Sequence, residues 1–182
     1  HEQKLAIDAL RESETRARAA TEIARLGTFE INVQKHSIIH SPRTAEILGL
    51  DITKQWPYQT IIDTVHIDDL EVRNKALEEM KQTGDLFYEA RINHTDSSIR
   101  WVRLNGKYLQ SEIQPMIIGT LMDITAEKKA AEELEKKVEQ RTKQLEITNQ
   151  ALVRSNRELA RSNQNLEEFA HAASHDMKEP IR

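Results

Sequence analysis

The end of the chain, "HAASHDMKEPIR" over 171–182, sets His175 beside Asp176 and places Pro180 five positions after the histidine. A neutral imidazole can attack the γ-phosphate of ATP through one ring nitrogen when a base holds or relieves the other N–H. Asp176 can supply that base. Pro180 lacks the N–H that would bond the carbonyl of Asp176, so it loosens a helix just past the reactive position. Two blander readings stay open. His171 and His175 are four apart on a helix and could share a metal, although the sequence offers no evident third ligand. Alternatively, His175 is a surface histidine without a role.

The element that must carry this histidine is a helix. From Ala126 onward there is no glycine, and no proline before Pro180. A continuous helix of that length is roughly 80 Å long and needs a partner in water. Val138, Leu145, Leu152, Leu159, Leu166 and Ala173 repeat every seven residues, and Thr142, Asn149, Asn156, Asn163 and Ala170 form the accompanying a row. Asparagine at a with leucine at d favours a parallel two-stranded coiled coil and fixes its register. In that frame His175 falls at f, pointing away from the seam. Between 126 and 170 nine basic and nine acidic residues balance, so the solvated face does not repel itself. A second register uses the leucine row as a, with Leu134, Arg141, Thr148, Ser155, Ser162 and Phe169 as d. A coiled coil poised between two packings suits a signal-carrying helix; a plain dimerisation stalk is the competing reading.

Turns and a packed core belong to the middle of the 182 residues. All five glycines and seven of the eight aromatic residues lie between residues 27 and 119. "TFEINVQKHSIIHS" predicts two strands around a turn. "SPRTAEILGL" predicts a short helix with Ser41 as N-cap, Pro42 in the first turn and Gly49 after its end. "PYQTIIDTV" predicts another helix. "HIDDLEVRNKALEEMKQTG" predicts a longer one with Leu70, Ala76 and Met80 as its apolar face. Three strands follow in "DLFYEARIN", "IRWVRLNGKYLQ" and "PMIIGTLMDI", the last apolar enough for a central position. The expected fold is α+β, a five-stranded antiparallel sheet with helices on one face. The expected layout is an N-terminal linker helix over 1–23, a globular domain over 24–125, a coiled-coil helix over 126–168, and a further helix start over 169–182.

This order of elements resembles the PAS sensory domain, through "ARLGTFEIN", "HIDDL", "RWVRLNG" and "DITAEKK" in sequence. Ile67 stands where that family usually has proline. The C-terminal "FAHAASHDMKEPIR" resembles the phosphoacceptor box of sensor histidine kinases. The two resemblances together imply the sensory and linker portion of a two-component sensor histidine kinase. His175 would be phosphorylated, with Asp176 as its acid-base partner. ATP with Mg would serve a catalytic domain outside these residues, and a response regulator receiver domain would take the phosphoryl group. The chain alone is expected not to phosphorylate anything. The PAS resemblance also implies that the Asp-Ile-Thr corner at Asp123–Thr125 carries changes from the sheet to the outgoing helix. There Asp123 would pair with a basic residue of the neighbouring strand, Arg103 being the best candidate. The competing reading is that Asp123 only caps the helix. A homodimeric PAS and coiled-coil interaction module without phosphotransfer is the alternative function.

Such domains commonly hold a small molecule between sheet and helices. A photoreactive flavin thioether needs a cysteine, and the chain has none. Haem needs an axial ligand, but His66 beside Asp68 and Asp69 reads better as a cap, and His36, His40 and His94 read as surface residues. Trp56 and Trp101 read as packing residues. The pocket is expected to be empty, core-filled or occupied by an unidentified ligand, with no cofactor or metal named by the residues. A net charge of −4 without a large single-sign block predicts no nucleic-acid footprint. The lack of cysteine and of any membrane-length apolar run predicts a cytoplasmic chain.

Overall fold

The computed structural model describes residues 2–110 and 114–176. They fall into two compact units that divide after Lys129. A lead-in helix, α1 (Glu2–Ile23), precedes β1 (Gly27–Asn32) and β2 (Ser37–His40). Helices α2 (Pro42–Leu48), α3 (Tyr58–Asp63) and α4 (Leu70–Thr83) come next, and then β3 (Asp85–Asn93), β4 (Ile99–Leu109) and β5 (Met116–Asp123). The last element is α5 (Thr125–Asp176), unbroken over 52 residues.

All strand pairs are antiparallel, in the order β2-β1-β5-β4-β3. The apolar β5 is therefore the central strand, as its composition predicts. Along β3 the side chains alternate strictly, with Leu86, Tyr88, Ala90 and Ile92 buried. That face meets Phe29, Ile117, Val102 and Leu121 from neighbouring strands, and α2 and α4 cover it with Ile47, Leu48, Ala76 and Met80. Ile92 is 1% exposed, and burial of a side chain that size is worth about 1.5–3 kcal/mol before packing.

The helix ends follow the sequence signals. Ser41 caps α2 by accepting from the Thr44 N–H, and Gly49 closes it at φ 74°, a left-handed conformation that favours glycine. Gly84 closes α4 in the same way at φ 79°. The start of α4 differs from the single long helix read in "HIDDLEVRNK". Ile67–Asp69 form a separate 3-10 turn, and α4 begins only at Leu70. The cause is Asp69, whose carboxylate is turned away from the helix to take the backbone N–H of Arg91 and two guanidinium bonds, at 2.6, 3.0 and 2.6 Å. His66 adds a backbone bond of 2.8 Å to the Arg91 carbonyl. "HIDDL" thus ties the start of a helix to the edge strand β3.

Candidate functional site

Three places could carry function: a cavity inside the globular unit, the corner where β5 becomes α5, and the exposed length of α5. The cavity lies between the sheet and helices α2, α3 and α4, with a volume of about 60 Å³. Most of its lining is aliphatic, and neither histidine nor cysteine borders it. Arg73, Tyr58, Tyr88, Thr44 and Thr64 form its polar part, with Arg73 Nη2 donating to the Tyr58 hydroxyl at 2.8 Å. Burial pushes the Tyr88 phenol up to about 12, against the opposing pull of Arg73. Tyr88 therefore stays a neutral O–H group across ordinary pH.

The histidines fall elsewhere. His66 Nδ1 accepts from the Asp68 N–H at 3.3 Å, the capping geometry read from its position. His94 pairs with Asp96 at 2.9 Å in the β3–β4 turn. His40 is not the surface residue expected of it. It is 4% exposed and its Nε2 accepts from the Trp56 N–H at 3.0 Å, while Gln55 Nε2 donates to its carbonyl at 3.1 Å. The loop after α2 folds back over the end of β2, which a strand-end position in sequence does not disclose. Trp56 is half-buried there, its indole N–H donating to the Asp51 carbonyl at 3.0 Å.

At the exit corner, Asp123 Oδ1 accepts from the Thr125 N–H at 2.9 Å and from its hydroxyl at 2.6 Å. The same hydroxyl oxygen accepts from the Trp101 N–H at 2.9 Å, and the Ile124 N–H donates to the Trp101 carbonyl at 2.9 Å. Ile124 itself is 1% exposed in the core. The start of α5 is thereby fastened to β4 through both backbone groups of one residue.

The expected pairing of Asp123 with Arg103 does not occur. The β4–β5 register sets Asp123 opposite Val102 and Arg103 opposite Met122. Successive side chains on a strand point to opposite faces, so Arg103 lies on the other face of the sheet. Arg100, two positions before Val102, is the arginine that approaches Asp123, at 4.0 Å. Arg103 instead bonds Glu89 of β3 at 2.8 Å and Glu127 of α5 at 3.4 Å. Lys128 joins the same Glu89 at 2.6 Å and lies 4.9 Å from the centre of the Trp101 ring. This network of Glu89, Arg103, Glu127, Lys128 and Trp101 ties β3 and β4 to the first turn of α5. No sequence spacing gave it away, because it depends on which residues the register sets side by side.

On α5, Val138, Leu145, Leu152, Leu159 and Leu166 are between 57% and 69% exposed. Asn149, Asn156 and Asn163 are exposed as well. The backbone at His175 and Asp176 belongs to the last turn of α5; their side chains, like Pro180, lie outside the described residues.

A sequence profile described as a PAS fold matches residues 37–121. The curated blue-light-activated histidine kinase of Brucella anthropi is 30% identical over 110 residues, 60% of this chain. The chain spans 22% of the length of that relative. Among solved structures, a sensory box histidine kinase/response regulator from Burkholderia thailandensis superposes with a TM-score of 0.60 at 21% identity, covering 69% of this chain and 96% of that one. The N-terminal domain of a diguanylate cyclase with PAS/PAC sensor from Marinobacter aquaeolei gives 0.50 at 20% identity, covering 56% and 97%. The fold of the α+β unit is PAS-like, as its order of elements predicts.

Proposed function

We propose that the chain is the sensory and signal-transmitting portion of a two-component sensor histidine kinase. In this reading a change within the PAS domain passes through the Asp123–Thr125 corner into α5. Two copies pair along Val138, Leu145, Leu152, Leu159 and Leu166 as a parallel coiled coil. His175 then receives phosphate from Mg-ATP held by a catalytic domain, with Asp176 as acid-base partner, and passes it to a receiver domain of a response regulator. The reading places the assembly in the cytoplasm; among the described residues no helix is long and apolar enough to cross a membrane.

The observation that carries this reading is the continuity of α5. One unbroken helix leaves the fastened corner, bears an exposed apolar row, and extends to the His175 backbone. The kinase relative supports it from outside. Blue-light activation, part of that relative's name, is not carried over, since no cysteine is available to form a flavin thioether. The polar lining of the cavity names no cofactor.

Phosphate transfer tests the reading. The chain is mixed with a full-length kinase bearing the same dimerisation helix, labelled ATP and Mg, beside the His175→Gln variant. Acid-labile label on the unaltered chain alone is the expected result. Absence of label in mixed dimers confirmed by gel filtration would favour an interaction module without phosphotransfer.

A further inference from the structure

Among the described residues, five arginines are half-buried: Arg43, Arg73, Arg91, Arg100 and Arg103. Four of them have a carboxylate, namely Glu46, Asp69, Asp96 and Glu89 respectively. Arg73 has neutral partners only: the Tyr58 hydroxyl at 2.8 Å, the Asn74 side-chain oxygen at 3.1 Å and the Tyr88 phenol. It is also the arginine that borders the interior cavity. A guanidinium carries five N–H donors and no acceptor, so these three neutral partners leave donors unused and the charge unmet. A partly desolvated cation without a counter-charge is costly.

The neighbours of Arg73 sharpen its demand. Tyr58 accepts from the guanidinium, which leaves its own O–H proton free to donate. Tyr88, held neutral by burial, presents a second phenolic O–H. One wall of the cavity therefore offers donors and one positive charge, while Leu86, Ile92, Leu77 and Ile61 contribute an aliphatic remainder. The complement is a single anionic group with acceptor oxygens joined to an apolar tail. A carboxylate can take two parallel N–H bonds from one guanidinium. A phosphate dianion would bring a second charge with no second cation to meet it.

Volume sets the length of the tail. A cavity of roughly 150 Å³ accepts benzene, and this one is about 60 Å³. We propose that the PAS cavity binds a short-chain monocarboxylate of acetate or propionate size, its carboxylate on Arg73 and the phenols of Tyr58 and Tyr88, its alkyl end among the aliphatic side chains. Binding of this kind stands independently of the phosphotransfer reading.

Amide spectra of the whole chain, recorded during titration with sodium propionate, test the site. Sodium chloride at matched ionic strength and 1-propanol are the controls. Saturable shifts in the millimolar range, centred on Ala90, Leu77 and Ile61, are expected with propionate. The alcohol should bind at least about tenfold more weakly, because it lacks the charge. Sodium hexanoate should give no saturable shift, being too long. Arg73→Gln should abolish the propionate response while retaining the melting behaviour of a folded domain. Should that variant fail to fold, Tyr58→Phe and Tyr88→Phe carry the test, each weakening propionate binding. Linear shifts without saturation, shifts equalled by chloride or propanol, or an unchanged response in the variants would overturn the proposal.

Discussion

Asp69 and Glu89 each sit well below the usual carboxylate range, Asp69 through the Arg91 guanidinium and Glu89 through Lys128 first and Arg103 second. Both therefore favour the ionised form in the folded chain more than in the unfolded one. Their stabilising effect is complete above the ordinary carboxyl value and is withdrawn as pH falls through the lower folded value. Urea midpoints should accordingly drop between pH 7 and the acid range. Asp69→Asn should cost about 2 kcal/mol at pH 7 and decline less steeply in acid than the unaltered protein. Equal acid slopes for the two would show that the Asp69–Arg91 pair is not what acid removes. Glu89→Gln belongs to the same scale, with a local readout. Hydrogen exchange at residues 125–129 should quicken while the rest of the sheet stays protected, because Glu89 is the acceptor shared by Arg103 and Lys128.

Elements were legible in the sequence wherever one period ruled a segment. The alternation of Tyr88, Ala90 and Ile92, the Ser41 cap and the closing Gly49 and Gly84 all act locally, so local pattern discloses them. Partners across elements were not legible. Choosing between Arg100 and Arg103 for Asp123 requires the β4–β5 register, and a shift of one residue reverses every face. Arg73 reads as one more charge on a solvated helix, since nothing in sequence joins it to Tyr58 and Tyr88. His40 looks exposed until the loop carrying Trp56 is folded over it. Close strand approach was equally hidden at Gly119, where an added Cβ would lie 2.5 Å from the Phe29 ring and 3.0 Å from the Gly106 backbone. Gly119→Ala should therefore destabilise the domain by about 3 kcal/mol, measurable as a lowered urea midpoint with an unchanged slope. On α5 the proposal of two near-equal registers has its own test. Replacing Asn149, Asn156 and Asn163 with Ile should raise dimer stability, by about 2 kcal/mol for each buried side chain. It should also freeze signal-dependent kinase output in the full-length protein. Output that still responds would leave α5 a plain stalk.

The whole molecule, in the proposed reading, is a dimer whose stability depends on concentration. Thermal midpoints of α5 should rise with protein concentration, and Leu152→Asp should weaken self-association about 100-fold or more. Sedimentation equilibrium checks both, and a monomer at all concentrations would remove the coiled coil from the proposal. One further consequence lies in the order of the strands. Gly27 at the head of β1 is the direct partner of Leu121 in β5, two residues before Asp123. The peptide arriving from α1 and the peptide leaving for α5 thus occupy adjacent rungs of one ladder. Domains with neighbouring ends tolerate transplantation. DNA encoding residues 27–128, which keeps Thr125, Glu127 and Lys128 with the sheet they bind, should be transferable into a helical linker with little strain on the flanking peptide at the joins. The unit is in that respect a cassette whose two joins lie side by side, provided the first turn of α5 travels with it.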